Sequence, residues 1–427
     1  MKKRILVRGP LLSRSGYGEQ ARFALRSLRA HEDRFDIYIH PVGWGQSSWI
    51  HEDTEERRWI DELVTKTVEH QQAGGQYDIS LQVTIPNEWE PMAPINIGYT
   101  AGIETTAVAP AWIEKSKLMN QIVVVSNHAK NIFEETVYQA QDNKTGKMID
   151  NFRCTTPIEV VNYPVRNPKP EKIELDLSTD FNFLTVMQWG PRKNLENTIR
   201  WFVEEFIDVE VGLIVKTSIA CDAIIDRMHT ERRLGNLLKD YPQRKCKIYL
   251  VHGDMSDGEM TSLYRDKRIK ALVSLSHGEG YGLPMFEAAY NGLPVITAGW
   301  SGQCDFLFAP VKERKKGKGK KTTTVMKAHF AKVEFTLQPI QPEAVWDGVL
   351  MQESMWAYPD QGSYKMRLRD VYKNHDQYLE TAVSLKKYIL NNFKEEDMYA
   401  KFADAVYKEE EQEIEDWLSN LDPQVHA

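Results

Sequence analysis

Short apolar runs recur along this chain, most of them followed by a stretch of helical periodicity, and the series runs through twice. The runs at 5–7, 35–39, 78–83, 95–99, 122–125 and 158–161 read as strands. Segments 19–29, 53–71 and 127–138 read as helices between them. The series stops at 162–170, where Pro164, Pro168 and Pro170 interrupt it. It restarts with strands at 183–187, 211–215, 247–251, 271–275 and 292–297, a helix at 194–206 and another beginning near Leu283. Strands that alternate with helices need crossover connections, so they build parallel sheets covered on both faces. The expected architecture is therefore α/β, with two tandem Rossmann-like units and a cleft between them. The expected division is 1–165, 171–394 and a final segment, 395–427. This last segment reads as one charged amphipathic helix from Glu395 to Leu421. Its Phe402, Val406, Ile414 and Trp417 offer a face that can pack back on the N-terminal unit.

A chain of 427 residues is long enough for one or two full cores, and 42% hydrophobic residues is a globular content. No run approaches the roughly 18 apolar residues of a membrane-spanning helix. The apolar stretch after Lys2, Lys3 and Arg4 is too short for a signal peptide. Cys154, Cys221, Cys246 and Cys304 are scattered and form no Cys-x-x-Cys pair. Neither a zinc site nor a disulfide framework is expected, and a reducing, cytoplasmic setting is.

The segment 271–290 carries the clearest chemistry. An apolar strand runs into Gly278, Glu279, Gly280, Tyr281 and Gly282, and Leu283 with Pro284 opens a helix. Glycines let a backbone bend tightly and approach a ligand. Free N–H groups and the positive end of a helix dipole favour an anion such as a diphosphate. Glu279 lies at the strand's carboxyl end, where open α/β sheets bind ligands, and Glu287 lies about one turn into the helix. Carboxylates in these places suit hydroxyl groups of a sugar and a ribose. An ordinary glycine-rich connector with two solvated glutamates has the same spacing.

Segment 312–321 differs in kind. It carries seven basic residues and one acid in a chain of net charge −7, which leaves the remainder at −13. Such a block is commonly a solvated loop. It can also clamp phosphates of a nucleic acid or an anionic glycan, and its lack of aromatic residues argues against base stacking.

Taken together, tandem Rossmann-like units with Glu279 and Glu287 eight positions apart resemble the GT-B glycosyltransferases. The nearest resemblance is to the retaining family 4 (glycosyl transferases group 1), including members from large tailed bacteriophages. Other segments agree in order. The run from Arg8 to Gly18, with Gly16, Tyr17 and Gly18, resembles the glycine loop that faces the donor phosphates. Glu104-Thr105 followed by Pro110-Ala111-Trp112 resembles the family's Glu-Thr and Pro-x-Trp segment. The strand ending at Ser126, the turn Gly190-Pro191-Arg192-Lys193-Asn194 and Gly292-Leu293-Pro294 also match. The resemblance covers about residues 5–310.

It implies a transfer of a sugar from a nucleoside-diphosphate sugar to an acceptor hydroxyl, without metal or other cofactor. It places Glu279 on donor-sugar hydroxyls and Glu287 on the ribose. The backbone of Gly280, Tyr281, Gly282 and Leu283 is placed on sugar and phosphate, and Lys193 with Arg192 on the diphosphate. Retention is then expected through same-face attack, so the glutamates are not a glycosidase pair. There are departures. Gln188 and Trp189 stand where a further basic residue is usual, and Lys216 is the possible substitute. Glu104 stands near the usual place of a histidine and is a candidate for sugar or acceptor contact. No Asp-x-Asp motif is present.

The acceptor is open between a glycan and a hydroxymethylated pyrimidine of phage DNA, the latter requiring a flipped-out base. Trp44, Trp49 and the run 87–90 offer platforms for a ring, or core. The other readings are a sugar-nucleotide epimerase or hydrolase, and a non-catalytic binding protein.

Overall fold

The computed structural model describes residues 2–141, 146–314 and 322–408. It contains two six-stranded parallel sheets. In the first, the strands lie in the order Phe35–Pro41, Lys3–Gly9, Ile79–Val83, Ile95–Thr100, Gln121–Val124, Ile158–Val160. Lys3–Gly9 pairs with Phe35–Pro41 on one side and, through Ile5 opposite Ile79, with the third strand on the other. Every residue of Ile79–Val83 is buried, as a central parallel strand covered on both faces requires.

The second sheet runs Lys247–His252, Gly212–Thr217, Asn182–Val186, Ile269–Ser274, Val295–Ala298, Ala331–Val333. Numbered along the chain, this is the order 3-2-1-4-5-6, that of a dinucleotide-binding sheet. Its direction of winding reverses between Asn182–Val186 and Ile269–Ser274. A crevice opens at the carboxyl ends of two strands so related, because their connections leave toward opposite faces. The fold is GT-B, with two Rossmann-like units.

Several elements differ from the sequence expectation. The first helix is Gly16–Arg29 and not 19–29, because the Ser15 side chain accepts from Gly18 N–H and starts it earlier. The helix expected over 127–138 ends at Glu135, where Thr136 turns to an extended backbone. Tyr138–Gln141 then pairs antiparallel with Met148–Phe152, and the Tyr138 hydroxyl donates to Val108 O at 2.8 Å.

The final helix is Glu395–Val406, not one reaching Leu421. Tyr407 is extended, its N–H donates to Ala403 O at 2.9 Å, and the Arg34 guanidinium donates to the carbonyls of Ala403 and Tyr407. Ile414 and Trp417 lie outside the described residues. The basic run 312–321 begins in the strand Phe308–Arg314, which pairs antiparallel with Thr322–Ala328, so its first three residues are strand and not loop; residues 315–321 are outside the described ones.

Two features tie the units together. Strands Phe335–Pro339 and Met355–Pro359 pair antiparallel, and the stretch between them reaches across to the N-terminal unit. There Asn87 Nδ2 donates to Gly348 O at 2.9 Å, and Thr106 N–H donates to Met355 O at 2.9 Å. Val349 is buried in a cluster with Trp89, Trp112 and Phe133. Trp89, offered above as part of a ring platform, is thus fully buried core. The second feature is the final helix, which packs on the first. Phe402 is fully buried, with its ring 5.2 Å from Phe23 and 4.9 Å from Tyr99, centroid to centroid. Truncation of this ring leaves a cavity in a packed aromatic cluster, so Phe402→Ala is expected to cost about 3–5 kcal/mol. A urea unfolding curve checks it; an unchanged midpoint refutes the docking.

Candidate functional site

The two strands flanking the reversal supply the centre of the site. After Val186 the chain makes a short turn, Pro191–Lys193. Asn194 closes it in the left-handed region, φ 54°, a conformation asparagine tolerates better than most residues. Its side chain donates to Leu275 O at 3.2 Å, and Arg192 O accepts from His277 N–H at 2.9 Å. The turn is thereby pinned to the glycine loop that follows Ser274.

Within this frame four charged side chains meet. Lys193 Nζ lies 2.5 and 2.7 Å from the two carboxylate oxygens of Glu279. Arg192 Nη1 donates to Glu279 Oε2 at 3.1 Å and to Gly278 O at 2.7 Å. Arg192 Nη2 is 3.3 Å from Glu104 Oε1, across the boundary between units. Burial works against ionisation of Glu279, but Lys193 and then Arg192 outweigh it and bring the carboxyl down to about 2. The Glu279 side chain is only 10% exposed, so it is a carboxylate held in a dry place by two cations.

The glycines around Glu279 have separate reasons. A Cβ on Gly278 would stand 2.2 Å from Glu104 O, and one on Gly280 2.6 Å from Ala101 O. The two units therefore meet here backbone to backbone. Gly282 has φ +93° and caps the helix Leu283–Asn291. Among the described residues, the N–H groups of Gly280, Tyr281 and Gly282 donate to no backbone or side-chain acceptor. The Tyr281 side chain points into core, 5.0–5.3 Å from the rings of Tyr163, Phe286 and Phe306, so only its backbone faces the site chemistry.

Glu287 stands apart from the charge cluster. Tyr264 donates its hydroxyl to Glu287 Oε2 at 2.8 Å. Burial raises this carboxyl to about 7, against the Tyr264 hydrogen bond. Gly16, Tyr17 and Gly18 form the first turn of the first helix. Gly18 is obligatory there, since a Cβ would meet Ser13 O at 1.9 Å. The Tyr17 hydroxyl and Thr100 Oγ1 are 2.8 Å apart, and its ring lies 4.4 Å from Trp44. Trp44 is therefore a partner of Tyr17, whereas Trp49 is 47% exposed. Lys216 belongs to a different group: its ammonium donates to Gly253 O, and Arg14 pairs with the adjoining Asp254 at 3.4 Å.

Other residues near the site were not singled out as site residues in the sequence. Ser126 accepts from Ala129 N–H, capping its own helix, and its hydroxyl donates across the boundary to Gly280 O at 2.7 Å. Asp305 Oδ2 accepts from Asn127 N–H, Asn127 Nδ2 and Asn162 Nδ2 at 2.9–3.1 Å. His128 lies edge-on to Trp300, centroids 5.0 Å apart, and burial pushes it down to about 4. The strand ending at Ser126 was visible in the sequence, but its contacts depend on a partner 154 positions away. Among the described residues, no group of three or more His, Cys, Asp or Glu side chains is placed to hold a metal ion. No helix among them is long and apolar enough to cross a membrane.

No family model matches the chain. Over 118 residues it is 31% identical to the serotype-specific mannosyltransferase WbdA of Escherichia coli, which is 27% of this chain and 13% of that protein. The match thus spans about an eighth of the relative's length. Among solved structures, sucrose-phosphate synthase from Thermosynechococcus elongatus superposes with a TM-score of 0.58 at 11% identity, covering 98% of this chain and 100% of that one. A glycosyltransferase from Rickettsia africae gives 0.57 at 13% identity, covering 99% and 100%. At such identities the likeness speaks for the fold.

The raised Glu287 has a measurable consequence. Between the ordinary glutamate range, near 4.5, and about 7, the folded protein holds a proton that the unfolded chain has lost. Stability from this group therefore falls as pH rises through that window. Glu287→Gln removes the slope, so its stability relative to the wild type is expected to rise from pH 5 to pH 8. Denaturant midpoints at the two pH values check this; parallel behaviour of the two proteins contradicts it.

Proposed function

We propose that this chain is a retaining glycosyltransferase that moves a hexosyl group from a nucleoside-diphosphate sugar to a hydroxyl of a glycan acceptor. One observation carries the reading. Two cations, Arg192 and Lys193, and three unspent N–H groups, at Gly280, Tyr281 and Gly282, converge at the strand ends where the sheet reverses its winding. That combination suits a diphosphate attached to a polar sugar. The partial match to a mannosyltransferase supports a hexose rather than a pentose.

On this reading the C-terminal unit, 171–394, holds the donor and the N-terminal unit, 1–165, holds the acceptor. Lys193 and Arg192 offset the charge that grows on the diphosphate as the glycosidic bond breaks. Charge stabilisation of this kind is strongest in a dry, preorganised site. Glu279 accepts hydrogen bonds from sugar hydroxyls, and Glu287, half protonated near neutral pH, can both donate to and accept from a ribose. A donor phosphate oxygen takes the acceptor's proton during same-face attack, so no residue here serves as a nucleophile and no metal is needed. Glu104 keeps Arg192 in place and borders the acceptor side.

A sugar-nucleotide epimerase or hydrolase would use the same donor contacts with no acceptor. The deciding experiment is a panel of nucleotide sugars offered with glycan and hydroxymethylated-DNA acceptors, read by mass spectrometry. Mass gain on a glycan, with retained anomeric configuration in the product's proton NMR spectrum, is the expected result. Mass gain on the DNA alone overturns the glycan assignment, and donor loss with no acceptor product overturns transfer. Lys193→Ala is expected to lower turnover on the order of a hundredfold. Undiminished turnover in that variant refutes the diphosphate assignment.

A further inference from the structure

We infer that the Glu279 carboxylate competes with the diphosphate for Lys193 and Arg192, and so limits how tightly the nucleoside-diphosphate product is held. The inference rests on the reading of those two cations as the diphosphate site. Its basis is that both cations are already paired. An ammonium has three N–H bonds, and Lys193 directs its charge at both oxygens of Glu279, at 2.5 and 2.7 Å. Arg192 divides its guanidinium among Glu279, Gly278 O and Glu104. The cluster holds two cations and two carboxylates and is neutral as it stands.

A diphosphate brought against a neutral cluster gains little unless one carboxylate withdraws. Glu104 is held on the other unit and reaches Arg192 alone. Glu279 follows Gly278 and precedes Gly280, and it touches both cations, so it is the one whose departure frees them. Once away from them, its oxygens are available to sugar hydroxyls. After transfer the diphosphate carries its full charge and would bind the cations most strongly. The return of Glu279 to Lys193 and Arg192 then replaces it. The side chain thus has two successive partners, the sugar before transfer and the cations after it.

The test is calorimetric titration of the full chain with inorganic pyrophosphate and with the diphosphates of uridine, guanosine and adenosine. Glu279→Gln is expected to bind pyrophosphate about tenfold tighter or more, since it frees hydrogen bonds between charged groups. Its transfer rate is expected to fall. A rise in affinity with a fall in turnover is not what a merely structural residue produces. Glu279→Asp keeps the charge but is shorter, and is expected to tighten binding by a smaller factor. Adding Lys193→Ala to Glu279→Gln is expected to abolish the gain.

Equal or weaker binding by folded Glu279→Gln overturns the inference. Should that variant melt at the working temperature, unchanged affinity in Glu279→Asp overturns it instead. Wild-type binding with no gain in either variant leaves the diphosphate site standing and sinks only the competition. No binding of pyrophosphate or any nucleoside diphosphate by any form sinks both.

Discussion

The pairing of Glu279 with Lys193 and Arg192 is the interaction on which the site depends. Charges taken out of water persist only when partners and hydrogen bonds compensate them. Here each charge is needed by another. Arg192 binds Glu279 within one unit and Glu104 in the other, so the electrostatics of the site and the relative placement of the units are one problem. The strand order creates the place. The short turn after Asn182–Val186 delivers the cations, and the glycine loop after Ile269–Ser274 delivers the carboxylate.

Much of this was legible in the residues. The alternation of strand and helix needs only local patterning, and it placed most of the parallel strands within a residue or two. Lys193, Glu279 and Glu287 stood out because glycine and proline punctuate the turns that carry them; Lys193 and Glu279 meet, and Glu287 stands apart on Tyr264. What was hidden is what distant residues decide. Trp89 looked like a ring platform beside two glutamates, yet it is core, packed in one cluster with Trp112, Phe133 and Val349 and lying against Gly98. Tyr281 sits in the glycine loop beside Glu279, and its ring packs into an aromatic core drawn from both units. The final helix ends at Val406, where Tyr407 turns extended and Arg34, far away in sequence, donates to the carbonyls of Ala403 and Tyr407. The stretch between Phe335–Pro339 and Met355–Pro359 has no period at all, and its place on the other unit could not be read from it.

The glycines near Glu279 divide between conformation and contact. Gly282 needs its positive φ, but Gly278 and Gly280 are required because carbonyls of the other unit lie where a Cβ would be. A sequence alone shows all of them as turn residues. Their different duties explain why the loop is dense in glycine on its boundary side.

The reaching stretch has a mechanical consequence. Two bodies joined by one strand of chain can swing freely, and two joints still leave an axis through both. This protein crosses between its units at the proline-rich connector, again through Gly348 and Met355, and a third time into the final helix. The connector and the entry to the final helix cross side by side, Val165 N–H donating to Phe393 O at 2.7 Å, so these two crossings act together. The reaching stretch meets the N-terminal unit elsewhere, at Asn87 and Thr106. A wide opening about the paired crossings must part those contacts, which makes the breadth of the cleft a property of the whole chain and not of its connector.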